Sequence, residues 1–200
     1  MRFRTWFLQE ASQAKRVQWD FAITLPALGI QGITSEPPLH AQGSHADIYV
    51  NPTDANTLIK VTDDDEDARN TVAAQTINSP NAVKCHAHTQ AGNVNGTALL
   101  VDFVKGASAP YSTPEFLALI EGQYGTDSRD QAHIRILRPD TFRTGILQGH
   151  GRLNRGELLK LSQLFRTIYV LESRLNIYLV DLAENVIDTG AAYVIVDFGR

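Results

Sequence analysis

From Leu39 onward, short runs of apolar and β-branched residues alternate with turn-forming clusters. Residues 46–51 (ADIYVN) and 57–62 (TLIKVT) flank Asn51-Pro52-Thr53-Asp54-Ala55-Asn56, so a hairpin is predicted there. Two further strands are predicted over 82–88 and 97–104, around Gly92-Asn93-Val94-Asn95-Gly96. The stretch ALLVDFV in the second is nearly all apolar, the pattern of a strand covered on both faces. Between these pairs, Asp63-Asp64-Asp65-Glu66-Asp67 opens a predicted helix over 65–78. Carboxylates favour the positive end of a helix dipole, and Asn78-Ser79-Pro80 stops the helix.

The pattern changes beyond Gly106. Thr113 and Pro114 make a good cap and first helical position. Residues 123–155 are polar and show no clear period. In 156–173, Leu158, Leu161, Leu164, Ile168 and Leu171 recur at spacings of three and four, which predicts an amphipathic helix. A last hairpin is expected from Asn185-Val186-Ile187-Asp188 and Tyr193-Val194-Ile195-Val196 around Thr189-Gly190. Before Leu39, residues 4–22 fit a helix carrying Trp6, Phe7, Ala11 and Val17 partly on one face. Residues 25–39, with three prolines and two glycines, fit a linker. Five short strands with one inserted helix, then helices, then a hairpin, argue for an α+β chain.

Composition narrows the classes. Two hundred residues suit one domain or two small lobes. A net charge of −4 gives no global reason to expect nucleic acid. The single cysteine, Cys85, excludes an internal disulfide and reads as a small buried hydrophobe. No run approaches the ~20 apolar residues of a membrane span. The N-terminal MRFRTWFLQEASQAKR is basic and amphipathic but lacks the apolar core of a cleaved leader. The expected location is therefore a cytoplasm, or export by a route needing no such leader. His86-Ala87-His88 would put two rings on one strand face with Cys85 on the other, but spacing supplies no third ligand for zinc. His150 reads as a loop residue, and 63–67 as a solvated helix start. Arg152, Arg155 and Arg166 read as scattered surface arginines, with an acidic partner as the alternative.

Four features then fall in one order. The first is Ala41-Gln42-Gly43-Ser44-His45-Ala46-Asp47-Ile48, where small residues at 41, 43 and 46 would let backbone approach phosphates and Ile48 would cover a base. Lys60 follows, an ammonium between apolar strand neighbours that needs an anion. Asp181 comes third, after the apolar Leu179-Val180, with Asn185 four positions on. Last is Asp197 at the end of an apolar strand, followed by Phe198-Gly199. Singly, each has an ordinary reading: a strand-end turn, an edge-strand lysine with its charge in water, a helix cap, a chance tripeptide. Jointly, phosphoryl transfer from ATP gives every one a task.

In this order the chain resembles the protein-kinase-like superfamily from about Leu39 to Gly199, least well over 107–155. The resemblance implies a bilobal fold, with a five-stranded antiparallel N-lobe sheet and one helix over 39–104 and a reduced, mostly helical C-lobe over 105–200. Residues 1–38 would be an extension. It implies nucleotide contacts from Ala41, Gly43, Ser44, Ala46, Ile48 and Lys60, and a hinge at Asp102-Phe103-Val104. Lys60 and Asp181 would be the catalytic residues, with Asn185 and Asp197 holding magnesium.

The implied activity is ATP- and magnesium-dependent transfer to a serine or threonine hydroxyl of a protein. Minimal effector kinases that bacteria inject into host cells are similar in size, which implies a host protein as substrate. A pseudokinase binding module and a small-molecule phosphotransferase are the alternatives. The chain departs from the family at Thr71, where the glutamate partner of the strand lysine is expected, with Glu66 and Gln75 as substitutes. It departs also at Leu179, in place of a histidine, and in an Asp181–Asn185 gap one residue short, with Glu184 a substitute ligand. The sequence stops at Arg200, so no activation segment is expected to follow.

Overall fold

The computed structural model describes residues 17–92, 96–111, 155–179 and 182–198. They fall into two compact units. The first takes the described residues up to Val72 and Lys84–Phe103, and the second takes Ala73–Val83 and the described residues from Val104 to Phe198.

In the first unit, β1 (Leu39–Gln42), β2 (Ala46–Val50), β3 (Thr57–Thr62), β4 (Cys85–Gln90) and β5 (Thr97–Asp102) form one antiparallel sheet ordered β1-β2-β3-β5-β4. The chain is thus α+β with a five-stranded antiparallel sheet, as its strand-then-helix order predicts. The β2–β3 turn is held by Asn51, whose Oδ1 accepts from Thr53 N–H at 3.0 Å and whose Nδ2 donates to Thr57 Oγ1 at 2.8 Å. Opposite partners share a face. Ile48, Lys60 and Leu99 line one; Tyr49, Ile59 and Leu100 line the other, beside Val61 and Ala98.

That second face is covered by the chain's own N-terminal segment. Val17, Leu25, Leu28 and Ile30 join Tyr49, Ile59, Val61, Ala91 and Ala98 in one buried cluster. Trp19 lies on Tyr49 with ring centroids 4.7 Å apart, and its Nε1–H donates to Glu36 at 3.2 Å. The segment carries α1 (Phe21–Ala27), capped by Asp20, whose carboxylate accepts from Ala22 N–H at 3.2 Å. Gly29, at φ 84°, ends the turn and lets Ile30 N–H reach Leu25 O at 2.8 Å, a Schellman closure with an apolar pair across it.

Two expectations are corrected here. Residues 17–20 are not helical, and the helix begins at Phe21; residues 4–16 lie outside the described residues. The supposed linker contributes core side chains, because its prolines and glycines turn the chain without interrupting burial at 25, 28 and 30.

The helix after β3 is α2 (Asp65–Ala74), continued by a 3₁₀ turn, Gln75–Ile77, and stopped at Asn78 in the left-handed region at φ 45°. The second unit holds β6 (Ala107–Ser108), α3 (Arg155–Leu175), α4 (Leu182–Asn185), β7 (Val186–Asp188) and β8 (Tyr193–Ile195). Leu161, Leu164, Ile168 and Leu171 of α3 are fully buried, as their spacing requires, and Phe165 joins them. Strands β6, β7 and β8 form a small antiparallel sheet, and Ala82 bridges Ile195 along its edge. The cap expected at Thr113 lies outside the described residues. No helix among the described residues is long and apolar enough to cross a membrane.

Candidate functional site

Lys60 follows from the register of β3. Its neighbours Ile59 and Val61 point into the core, so period two turns Lys60 to the opposite face. There its side chain is only 5% exposed, and Asp67 meets it with Oδ1 at 2.9 Å and Oδ2 at 2.8 Å. Two ions so far from water need each other and further hydrogen bonds. Thr71 supplies one, its hydroxyl donating to Asp67 Oδ1 at 3.3 Å.

Local sequence places Asp67. Thr62 Oγ1 accepts from Asp64 N–H at 3.1 Å, and Asp64 Oδ1 accepts from the N–H groups of Glu66 (2.8 Å) and Asp67 (3.2 Å). Asp64 is thus the N-cap of α2, Asp67 its third residue and Thr71 one turn on. This revises the expected arrangement. The acidic run is not a uniformly solvated helix start, since Asp67 is buried. The carboxylate under Lys60 stands one turn before Thr71, and Thr71 assists it rather than taking its place.

Ala41, Gly43, Ser44, Ala46 and Ile48 form the β1–β2 hairpin. Gly43 N–H donates to Ala46 O at 2.7 Å, closing a tight turn. The His45 carbonyl accepts from Thr62 Oγ1 at 2.9 Å and Asp63 N–H at 3.1 Å, which pins the turn to the end of β3. Ala41 opposes Ile48, and Ile48 opposes Lys60, so the three share a face. Leu58 belongs with them, two residues before Lys60 and opposite Val50 and Val101. Period two alone would have found it.

At the end of β5, Asp102 N–H donates to Lys84 O at 2.9 Å and its carboxylate meets His86 Nε2 at 2.6 Å. Phe103 N–H donates to Asn56 O at 2.7 Å. Of the expected adenine-reading groups in this segment, the Asp102 and Phe103 N–H groups are therefore already engaged.

In the second unit Asn185 directly precedes β7 and Asp197 follows β8 by two residues. Val186 opposes Ile195, and Val196 N–H donates to Asn185 O at 2.8 Å. Both residues thus stand at the open end of one hairpin. Phe198 is fully buried and fixes the chain just beyond Asp197. Leu179 is buried as well. Asp181 lies outside the described residues.

A polar network ties the same hairpin to α3. Lys160 Nζ meets Asp188 at 2.9 and 3.0 Å and Glu157 at 3.4 Å, and lies 4.5 Å from the Tyr193 ring centre. Tyr193 and Tyr111 both donate their hydroxyls to Glu157 Oε1. Burial and the hydrogen bonds to Glu157 push both phenols well above their ordinary range. Burial favours neutral Lys160, but Asp188 and Glu157 outweigh it and raise its pKa. Burial likewise favours neutral Asp188, but Lys160 and Gly190 N–H outweigh it and lower its pKa. In the first unit, burial pushes the Cys85 thiol up to about 11, which makes it inert as a nucleophile at neutral pH.

No family model, curated protein or solved structure matches this chain. Its chemistry must be argued from the residues. Among the described residues no group of three His, Cys, Asp or Glu could hold a metal. Asn185 and Asp197 each carry an oxygen donor of the hard type that magnesium takes.

Proposed function

We propose that the chain is an ATP- and magnesium-dependent protein kinase of protein-kinase-like bilobal fold. The observation that carries this is the buried Lys60–Asp67 pair: a lysine on an apolar sheet face, its amino group oriented by a carboxylate that is itself held by Thr71. A structural ion pair adds little stability for its cost, so its retention favours a task for the ammonium. The helix inserted between β3 and β4, and the hairpin bearing Asn185 and Asp197, support the same reading.

In this reading Lys60 holds the α and β phosphates, and Asp67 fixes the direction of its ammonium. Ala41, Gly43, Ser44 and Ala46 lie over the phosphates, while Ile48 and Leu58 cover the adenine ring. The Asp102 carbonyl and Val104 N–H read its edge. Asn185 and Asp197 hold the magnesium, whose charge offsets the negative charge that develops on transfer. Asp181 orients and deprotonates the acceptor hydroxyl, of a serine or threonine in a protein. An exported bacterial enzyme acting on a host protein is the setting proposed.

Radiolabelled ATP with cell lysate tests this. Wild type should transfer phosphate, and Asp181→Ala should lose ~10²-fold or more of the rate. Asp197→Ala should abolish magnesium-dependent nucleotide binding; unchanged binding would refute its assignment. The buried Leu179, where a kinase carries histidine, favours a second reading as a pseudokinase. ATP that raises the melting temperature without any transfer would select it.

A further inference from the structure

The strongest unassigned surface is a groove of about 440 Å³ wholly within the second unit, between the end of the 3₁₀ turn and one face of α3. Asn78, Ser79, Gln163, Arg166, Thr167 and Arg174 supply its polar wall, and among the described residues no aspartate or glutamate lines it. Its floor is closed by the Ser79–Thr167 hydroxyl pair at 2.7 Å. The hydroxyls are thus engaged with each other. Thr167 also donates to Gln163 O at 3.1 Å. Arg166 and Arg174 are exposed, and neither makes an ion pair or hydrogen bond among the described residues. The chain as a whole carries −4, so a basic groove without a carboxylate runs against its average. Arg174 alone would be accounted for by the C-terminal turn of α3, where a cation complements the helix dipole. Arg166, in the middle of the helix, has no such reason.

We infer that this groove docks an extended acidic segment of a partner protein, with two carboxylates four residues apart. The spacing decides the form. Eight residues separate the arginines along α3, a rise of about 12 Å. In an extended peptide, side chains four positions apart project to one side and stand about 13 Å apart. One carboxylate then meets each guanidinium, a planar fork suited to paired oxygens. This docking does not rest on phosphoryl transfer and would hold for a binding module as well.

The test is fluorescence anisotropy at low ionic strength. The probe is a labelled glycine- and serine-rich peptide bearing two glutamates four positions apart. Wild type should bind it, and Arg166→Gln and Arg174→Gln should each weaken binding about fivefold, with the double variant losing it. Both side chains are exposed, so the variants should melt as wild type does; a lowered melting temperature would count against a surface role. Equal binding of a peptide with glutamine in place of glutamate would overturn the proposal. So would equal binding with the two glutamates adjacent, or unchanged binding by the double variant. Displacement of the peptide by inorganic phosphate at comparable concentration, or tighter binding of a short oligonucleotide, would also overturn it.

Discussion

Lys60 and Asp67 are each under a tenth exposed, so neither charge can be relaxed by water if the other is removed. Asp67→Ala should therefore cost about 3–5 kcal/mol in a urea unfolding experiment. The double variant Lys60→Met with Asp67→Leu should cost less than the sum of the two single changes, because it deletes both charges at once. Additive losses would show that the two residues do not act as a pair. Thr71→Val should cost about 1 kcal/mol through the lost hydroxyl donor. At this scale Lys60 was legible, since an ammonium between apolar strand neighbours asks for an anion. Asp67 was not. It sits in a run of five acids, and composition cannot tell which one α2 turns inward. The signal was Thr71 four positions later, a polar residue on an otherwise small and apolar helical face.

At the scale of elements, α3 and the β7–β8 hairpin are joined through Lys160 and Asp188. Asp188 has a lowered pKa, so its contribution is present above the ordinary carboxylate value of ~3.9 and is lost as pH falls through the lowered one. Lys160 has a raised pKa, so its contribution is present below ~10.4 and is lost as pH rises through the raised one. The link is at full strength between these limits. Asp188→Asn should lower the melting temperature at pH 7, and the gap from wild type should close as pH falls toward 2. A gap independent of pH would remove the charge from the account.

Gly106 meets the same hairpin sterically. A Cβ there would overlap the carbonyl oxygen of Asp188 and the side chain of Ile187, so Gly106→Ala should cost about 1–3 kcal/mol by thermal melting. The elements themselves were read well where a period was sustained, as in α3, or where turn chemistry was strong, as at 51–56 and 189–190. α1 was missed because it is seven residues long and contains Pro26, too short for a period to show.

At the scale of the molecule, the N-terminal segment is part of the first unit's core. A protein beginning at Leu39 would expose Tyr49, Ile59, Val61 and Ala98, all buried under residues 17–30. It should lose near-ultraviolet circular dichroism and bind a hydrophobic dye. A cooperative, native-like melt from that shortened protein would show the covering segment to be dispensable. Sequence reading set residues 1–38 aside because prolines and glycines dominate their second half. Burial there follows irregular spacings, Leu25, Leu28 and Ile30 around a left-handed Gly29, which no helix or strand period describes.

The covering segment also carries its own optical reporter. The chain has two tryptophans, Trp6 and Trp19. Trp19 lies on Tyr49, partly buried against the first unit's core, and bonds Glu36. In a Trp6→Phe background, all indole emission would come from this one ring. Its maximum should sit to the blue while the segment covers the sheet and move to the red on release. Following that colour against denaturant, beside the far-ultraviolet signal of the strands, would time the release of the segment against the loss of the sheet.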